Sequence, residues 1–157
     1  MTGQWDLRWH YEIRDLASLP RVRGIEHPPC MTGPWWLRRI RRTAAGPGCC
    51  WHHGINWHLV SETAIGIALQ AQADGTPPED ILDAVDLAAC GLDGDDQDGL
   101  ISLLSAGGGI ELDDGDPGDV TIYEGRHRIT AMRDVGVRRT VILRSEVTPH
   151  LGAVTRA

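Results

Sequence analysis

The side chains best suited to chemistry lie together in one short segment, Tyr123–Ala131, which reads YEGRHRITA. Gly125 has no Cβ, so it lets the backbone turn sharply between a strand and a helix and come close to a ligand. The free N–H groups at the start of the helix, together with its dipole, favour an anion there. Arg126, His127 and Arg128 add donors within one turn, and arginine can bind phosphate through two parallel hydrogen bonds. The segment therefore predicts a phosphate-binding turn.

The same motif also has a purely structural interpretation, which stays open. Gly-x-x-Arg is short, and Arg128 could pair with an acid while Gly125 only caps the helix. The phosphate-binding interpretation names its ligand-binding residues as Gly125, Arg126, His127, Arg128 and Thr130.

A second group of reactive side chains occupies residues 49–58, CCWHHGINWH, which contain five possible zinc ligands. Zinc sites usually space their ligands as Cys-x₂₋₄-Cys and His-x₃₋₅-His. His53 and His58 have such a gap, but adjacent Cys49 and Cys50 are not expected to reach one metal easily. The pattern therefore favours buried thiols and ordinary imidazoles over bound zinc.

Two other interpretations of this histidine-rich segment remain. Cys30 or Cys90 could complete a zinc site, if one exists. Alternatively, His52 and His53 could line the pocket of an acceptor molecule beside the phosphate turn.

Aromatic and basic residues alternate in the segment WWLRRIRR, residues 35–42. One interpretation is a helix that binds nucleic acid through Arg38–Arg42, with tryptophan available for base stacking. In the other, Trp36 and Ile40 pack inward while the arginines are solvated or pair with acids. We favour the second, because the acidic residues elsewhere need partners.

Charge is distributed unevenly along the chain. Residues 1–58 hold eight arginines and four acids, residues 59–120 hold fifteen acids and no arginine, and residues 121–157 hold seven arginines and three acids. Anion binding is therefore expected to be local. A net charge of −7 argues against extensive coating of nucleic acid.

The elements that must position these side chains follow from periodicity. Apolar and polar residues alternate over residues 5–13, which predicts a half-buried strand. Pro34 can begin a helix over residues 35–45, which Gly46 ends. Further helices are predicted over residues 61–73, 79–89, 99–105 and 127–135, and strands over 110–112, 120–123 and 140–143. The fold class is α+β.

The last third of the chain, residues 98–145, resembles the core of the ParB/sulfiredoxin-like superfamily. There a helix ending in glycine precedes a strand, a loop, a second strand, a Gly-x-x-Arg-x-x-Ala turn and helix, another glycine and a closing strand. Gly125, Arg128 and Ala131 match this motif, and Gly136 matches the later glycine. The resemblance implies a nucleotide site at the turn, in a small mixed sheet with packed helices.

The resemblance is looser over residues 11–27 and does not cover residues 28–97. The latter would form a helical insertion within a single domain of residues 1–147, and residues 148–157 are expected to form a poorly ordered tail.

Differences from two branches of the superfamily exclude their chemistry. Sulfiredoxins carry cysteine immediately before the His-Arg pair, whereas Arg126 stands there in this chain. Chromosome-partition ParB proteins continue with a third nucleotide-binding motif and a helix-turn-helix, whereas only a short tail follows the last predicted strand. Neither reductase activity nor DNA segregation is therefore expected.

A third branch, the free-serine kinases, carries Asp-Gly-His-His-Arg at the turn, to which residues 124–128, EGRHR, are similar. This resemblance implies ATP or another nucleoside triphosphate as ligand, with Glu124 helping to hold Mg²⁺ and His127 in the active site. Glu26 would stand where the kinase base accepts the proton of an acceptor hydroxyl. A solvated loop carboxylate is the simpler interpretation of Glu26.

Three functions remain in competition. The leading one is nucleotide binding with phosphoryl transfer to a small hydroxyl-bearing acceptor. The alternatives are a DNA-associated regulator of plasmid or phage origin and a nucleotide-binding partner module without catalysis. The sequence shows neither a secretory signal nor a span of about 18–20 apolar residues, so we expect a cytoplasmic protein without membrane contact.

Overall fold

A four-stranded mixed sheet lies at the centre of the computed structural model, which describes residues 5–46, 48–92, 94–113 and 120–149. The strands are β1 (Trp5–Asp15), β2 (Glu111–Asp113), β3 (Thr121–Glu124) and β4 (Arg139–Pro149). Six α-helices are described: α1 (Trp35–Ala45), α2 (Trp51–Gly54), α3 (Trp57–Asp74), α4 (Ile81–Ala84), α5 (Gly94–Leu104) and α6 (Arg126–Val135). The α+β class predicted from the sequence is confirmed.

The strand order is β1-β4-β2-β3. The long strands β1 and β4 pair antiparallel over their full length, from Trp5 opposite Pro149 to Asp15 opposite Arg139. Strand β2 runs parallel to β4 and antiparallel to β3. The predicted strands over residues 5–13, 110–112, 120–123 and 140–143 are all confirmed, with β4 extending six residues further than predicted.

The helices cover the sheet and share one core with it. Trp57 and Val60 of α3 and Leu100 and Leu103 of α5 are fully buried, as is Ile142 of β4. Residues 28–97 are largely helical as predicted, and their buried apolar side chains, such as Trp57 and Val60, belong to this same core.

Two helices begin earlier than the sequence predicts. Helix α3 begins at Trp57 rather than Ser61, since the Asn56 side chain accepts a hydrogen bond from the N–H of Leu59. Helix α5 begins at Gly94, so that its first turn contains acidic residues, where the helix dipole favours them.

The prediction of one continuous helix over residues 79–89 is wrong. Helix α4 ends at Ala84, and a separate 3₁₀ turn covers Leu87–Cys90. The Asp86 carboxylate accepts from the N–H groups of Ala88 and Ala89, at 3.1 and 3.3 Å. Aspartate competes with the helix for these donors, so a new turn begins there.

The inward packing predicted for Trp36 and Ile40 is also wrong. Their exposed fractions are 53% and 58%, and no described residue of α1 is fully buried. Three of the four arginines of the helix bind protein groups instead. Arg38 binds Asp134, and Arg41 donates to the carbonyls of Pro29 and Thr32. Guanidinium groups can satisfy several buried acceptors at once, and this decides which face of α1 is attached.

The C-terminal unit follows the predicted order. Strand β3, Gly125, α6, Gly136 and β4 succeed one another, and residues 148 and 149 belong to β4 rather than to a tail. The acidic segment over residues 114–119 lies outside the described residues. Among the described residues, no helix is both long and apolar enough to cross a membrane.

Candidate functional site

The turn between β3 and α6 is built around Gly125. Its φ of +84° lies in the left-handed region, and a Cβ there would lie 2.8 Å from Cγ1 of Ile110. The first helical hydrogen bond runs from the N–H of Ile129 to the carbonyl of Gly125. The N–H groups of Arg126, His127 and Arg128 therefore precede the helical ladder and point away from the helix start.

A pocket of about 360 Å³ opens at this helix N-terminus. Its walls combine the turn with residues from three other parts of the chain: Trp51, His52, Ser102, Gly108, Glu124, Gly125, Arg126, His127 and Arg128. The volume is within the range of small-molecule sites. Four of the five residues predicted to bind phosphate thus line one pocket.

Arg128 is buried, and its guanidinium donates most of its hydrogen bonds to backbone carbonyls. It donates to Ser102, to Gly108 at 2.7 Å and to Gly109 at 3.0 Å, and lies 4.0 Å from the Glu124 carboxylate. Burial lowers its pKa, and the nearby carboxylates oppose that shift. Arg128 therefore contributes positive charge to the pocket wall while it holds the 102–109 segment in place.

Two imidazole rings stack beside the turn. The rings of His52 and His127 lie 5.1 Å apart at an angle of 20°. Burial, together with the charges of His127, Arg128 and His53, lowers the pKa of His52 to about 4. His52 is therefore neutral at pH 7, and its ring can pack against a ligand without adding charge.

His127 is oriented by the loop that precedes the 3₁₀ turn at Pro29. Its Nε2 lies 2.7 Å from the carbonyl oxygen of His27. Since a carbonyl only accepts, Nε2 carries the hydrogen and donates it. Nδ1 is therefore the ring nitrogen that remains for a ligand.

Arg126 lies between this pocket and a second one of about 420 Å³. Arg21 and Arg23 also line the second pocket, and Nη1 of Arg126 contacts the carbonyl of Arg23 at 3.4 Å. Three exposed arginines thus border adjoining cavities, which concentrates positive potential on this side of the turn.

Glu124 has a carboxylate neighbour that the sequence did not predict. Glu111 lies opposite it on β2, and burial together with the charge of Glu124 raises the pKa of Glu111, against the effect of Arg128. The pairing register of β2 and β3 creates this proximity, which no local pattern indicates. Two adjacent carboxylates form a donor set that suits Mg²⁺.

Two predicted site residues do not line the pocket. Thr130 is buried one turn further along α6, where its hydroxyl donates to the carbonyl of Arg126 at 2.9 Å. Glu26 is exposed, although the carbonyl of the next residue, His27, contacts the His127 ring. The early loop thus reaches the turn through its backbone.

Sulfur and imidazole groups form a separate cluster next to α2. The ligand atoms of Cys30, Cys49, Cys50 and His53 all lie within 4.8 Å of one another. The sequence argument that adjacent cysteines diverge does not apply here, because the chain bends at Cys49 before α2 begins. His52 lines the pocket as predicted, whereas His53 faces this cluster instead.

The cluster is attached to α6 through Asp134. Nε2 of His53 lies 3.2 Å from the Asp134 carboxylate, which also pairs with Arg38 at 2.9 Å. Burial raises the pKa of Asp134, but hydrogen bonds from His53 and Arg38 outweigh it, and the pKa lies below its ordinary value. Of the two cysteines considered for completing a zinc site, Cys30 lies in the cluster. Asp134 is a functional candidate that no spacing rule would associate with residues 49–53.

Comparison with known proteins gives no relative: no family model, no curated protein and no solved structure matches the chain.

Proposed function

We propose that this protein binds a phosphorylated small molecule, with a nucleotide as the leading candidate, in the pocket at the start of α6. The single observation that supports this most strongly is the composition of the pocket. A helix N-terminus of free N–H groups faces it together with Arg126, His127 and Arg128, and the first turn of α6 has no acidic residue. Such a site favours an anion through both the helix dipole and the side-chain charge.

The ParB/sulfiredoxin-like resemblance points to the same ligand class. The order of β3, Gly125, α6, Gly136 and β4 is the order expected for that superfamily. We therefore propose a ParB/sulfiredoxin-like domain in which residues 28–97 are an insertion. His52 and Trp51, which come from that insertion, also line the pocket and would contact the ligand beside α6.

Phosphoryl transfer is our proposal for the reaction, if the bound nucleotide reacts. Glu124 and Glu111 would hold Mg²⁺ on the phosphates, and a small hydroxyl-bearing molecule would be the acceptor. Glu26 stays a proposed base, since its loop contacts His127 through the neighbouring carbonyl. Transfer of this kind depends mainly on positioning and charge neutralisation, which the cationic wall would supply.

A thermal-shift titration with ATP, ADP and CTP, with and without Mg²⁺, tests the site. A nucleotide at about 100 times its Kd stabilises the folded state by about 2.7 kcal/mol. For a chain of this size that corresponds to a rise in Tm of about 5–10 °C. If none of these nucleotides raises the Tm, the proposal fails.

The diagnostic variant is Arg126→Ala, because Arg126 is exposed and lines the pocket. Arg39→Ala is its matched control: it also removes one exposed arginine, but from α1. We expect the nucleotide-dependent shift to shrink in Arg126→Ala alone. An equal loss in both variants would indicate a general charge effect instead of a site.

The alternatives differ in their support. Of the Arg38–Arg42 segment, Arg38, Arg41 and Arg42 already bind protein groups, which disfavours a DNA-associated regulator. Retention on DNA at low salt would restore it. A non-catalytic partner module is favoured by the exposed tryptophans of α1, Trp35 and Trp36. Nucleotide binding without product from any hydroxyl acceptor would support that module.

A further inference from the structure

We propose that Cys30, Cys49, Cys50 and His53 bind one Zn²⁺ ion as a closed tetrahedral site, with Asp134 supporting the histidine from behind. This site is separate from the nucleotide pocket and does not depend on it.

The separations between ligand atoms fit zinc. Zinc–sulfur bonds of about 2.3 Å and zinc–nitrogen bonds of about 2.0 Å, at the tetrahedral angle, place a sulfur and a nitrogen about 3.5 Å apart. Nδ1 of His53 lies 3.5 Å from Sγ of Cys49 and 3.3 Å from Sγ of Cys50. Two sulfurs in such a site lie about 3.8 Å apart, and all four ligand atoms here fall within 4.8 Å of one another. An ion would need little rearrangement of the chain to bind.

The orientation of His53 is the one that a metal ligand requires. Its Nε2 faces the Asp134 carboxylate, which Arg38 also binds. A carboxylate in an ion pair accepts hydrogen bonds, so Nε2 carries the hydrogen and Nδ1 presents its lone pair to the sulfurs. Carboxylate–histidine–metal arrangements fix the ring and its tautomer in this way. The side chains of His53 and Asp134 are only 4% and 5% exposed, so this arrangement is protected from water.

The surrounding charges favour an anionic centre. Three thiolates and one neutral imidazole around Zn²⁺ carry a net charge of −1. Arg38 and Arg42 both contact Asp134, and the Nε of Arg42 is buried without an acceptor among the described residues. Arg41 donates to the carbonyls of Pro29 and Thr32, on either side of Cys30. Asp134 alone does not balance these three guanidinium groups, and the negative charge of a zinc–thiolate centre would reduce the positive excess that remains.

A structural role follows from the ligand count. Three cysteines and one histidine fill the tetrahedron and leave no position for a substrate, as in structural zinc sites. The ion would join the turn at Cys30 to the start of α2 and, through Asp134, to α6. Helix α2 has only four residues, too few to be stable alone, so a metal crosslink gives it a fixed position.

The first test uses the wild-type chain, purified with a reductant and without chelator, and measures zinc by mass spectrometry of the metal. We expect one zinc per chain. Replacement by Co²⁺ should give the visible bands of tetrahedral cobalt and a thiolate-to-cobalt charge-transfer band in the near ultraviolet. Failure to retain Zn²⁺ after incubation with an excess, or Co²⁺ binding without the charge-transfer band, would overturn the proposal.

Single substitutions assign the ligands. Cys30→Ser and Cys50→Ser should each weaken the charge-transfer band, whereas Cys90→Ser is the matched control. Cys90 is half-buried like Cys50, but its Sγ contacts the carbonyl of Asp86, outside the cluster. Asp134→Asn keeps all four ligands and should lower zinc affinity by about 10- to 100-fold. Equal spectra for Cys30→Ser and Cys90→Ser would refute the ligand assignment.

Alkylation of the wild-type thiols gives a readout that does not require a variant to fold. With Zn²⁺ bound, Cys30, Cys49 and Cys50 should resist iodoacetamide while Cys90 reacts, and a chelator should remove the protection. Equal reactivity of all four thiols, or a disulfide among the first three in the reduced preparation, would contradict the site. These measurements contain no nucleotide, so a negative result would rule out the zinc site without affecting the proposed nucleotide binding. In the same way, failure of the nucleotide titration would not affect the zinc site.

Discussion

The substitution Gly125→Ala should destabilise the protein by two separable effects. Alanine in the left-handed region costs about 1–2 kcal/mol, and Gly125 has φ +84°. The added Cβ would also lie 2.8 Å from Cγ1 of Ile110 and 3.1 Å from its Cα. Overpacking of a buried position typically costs a further 1–3 kcal/mol. The expected loss in the free energy of unfolding is therefore about 2–5 kcal/mol, measured by urea denaturation.

Gly136, at the other end of α6, provides a matched control. Its φ of +83° is nearly identical, but a Cβ at this position would have no atom of the described residues within 4 Å outside its own neighbours in the chain. Gly136→Ala should therefore lose only the conformational part, about 1–2 kcal/mol. The difference between the two variants measures the contact with Ile110. If both lose the same stability, the close approach of Gly125 to Ile110 is not what constrains the turn.

A double-mutant cycle with Ile110→Ala sharpens the test. Removal of Cγ1 should reduce the destabilisation caused by Gly125→Ala by about 1–2 kcal/mol, since the effects of substitutions at residues in contact are not additive. Additive losses would again refute the reasoning. If the proposed nucleotide site is correct, the folded fraction of Gly125→Ala should also bind nucleotide more weakly, because displacement of the turn moves the N–H groups that are proposed to face the phosphates.

Three further outcomes are expected. Burial and the charge of Glu79 raise the pKa of Tyr11 to about 12, whereas an unfolded tyrosine ionises near pH 10. The free energy of unfolding should therefore be unaffected by Tyr11 ionisation below pH 10 and should fall by about 2–3 kcal/mol as the pH rises toward 12. Urea unfolding of Tyr11→Phe should lack this part of the pH dependence. Arg128→Met should cost about 3–5 kcal/mol, because the carbonyls that it binds lose a charged donor, and equilibrium unfolding without nucleotide would show this. Asp86→Ala should cost only about 1 kcal/mol in thermal unfolding, since it removes an exposed cap.

Local sequence patterns were sufficient to predict those elements whose own residues show a clear period or clear end signals. Strict alternation predicts β1, and the glycines at either end predict the bounds of α6 to within one residue. The pocket-lining residues 124–128 follow from the same local pattern. Glu111 does not follow from it, because strand register places this residue opposite Glu124. For the two histidines expected beside the turn, only the packing of α2 decides that His52 lines the pocket and His53 does not.

The sequence could not predict the attachment of α1, for a different reason. Its apolar residues suggest a buried face, yet the groups that attach it to the protein are guanidiniums that bind carbonyls and Asp134. Hydrophobic patterning contains no information about which acceptors lie nearby in the fold. The same applies to the cysteine cluster, where Cys30 approaches Cys49 and Cys50 only after α1 has packed against the turn that contains Cys30.

Helix α6 contributes to both proposed sites, since its start lines the pocket and its Asp134 contacts the cysteine cluster. Its attachment to the rest of the fold determines how a metal in the cluster would affect the pocket. The helix is held independently of the cluster, because Arg133 donates to the carbonyls of Leu16, Leu19 and Pro20. Loss of zinc should therefore leave the N–H groups and cations of the turn in place. The pocket wall formed by α2 depends more on the metal. Helix α2 is short, and its pocket-lining residues Trp51 and His52 lie directly between the proposed ligands Cys50 and His53. Chelation should thus weaken the part of nucleotide binding that comes from base or ribose contacts with α2, while inorganic pyrophosphate, which needs only the α6 wall, should bind equally well with and without metal.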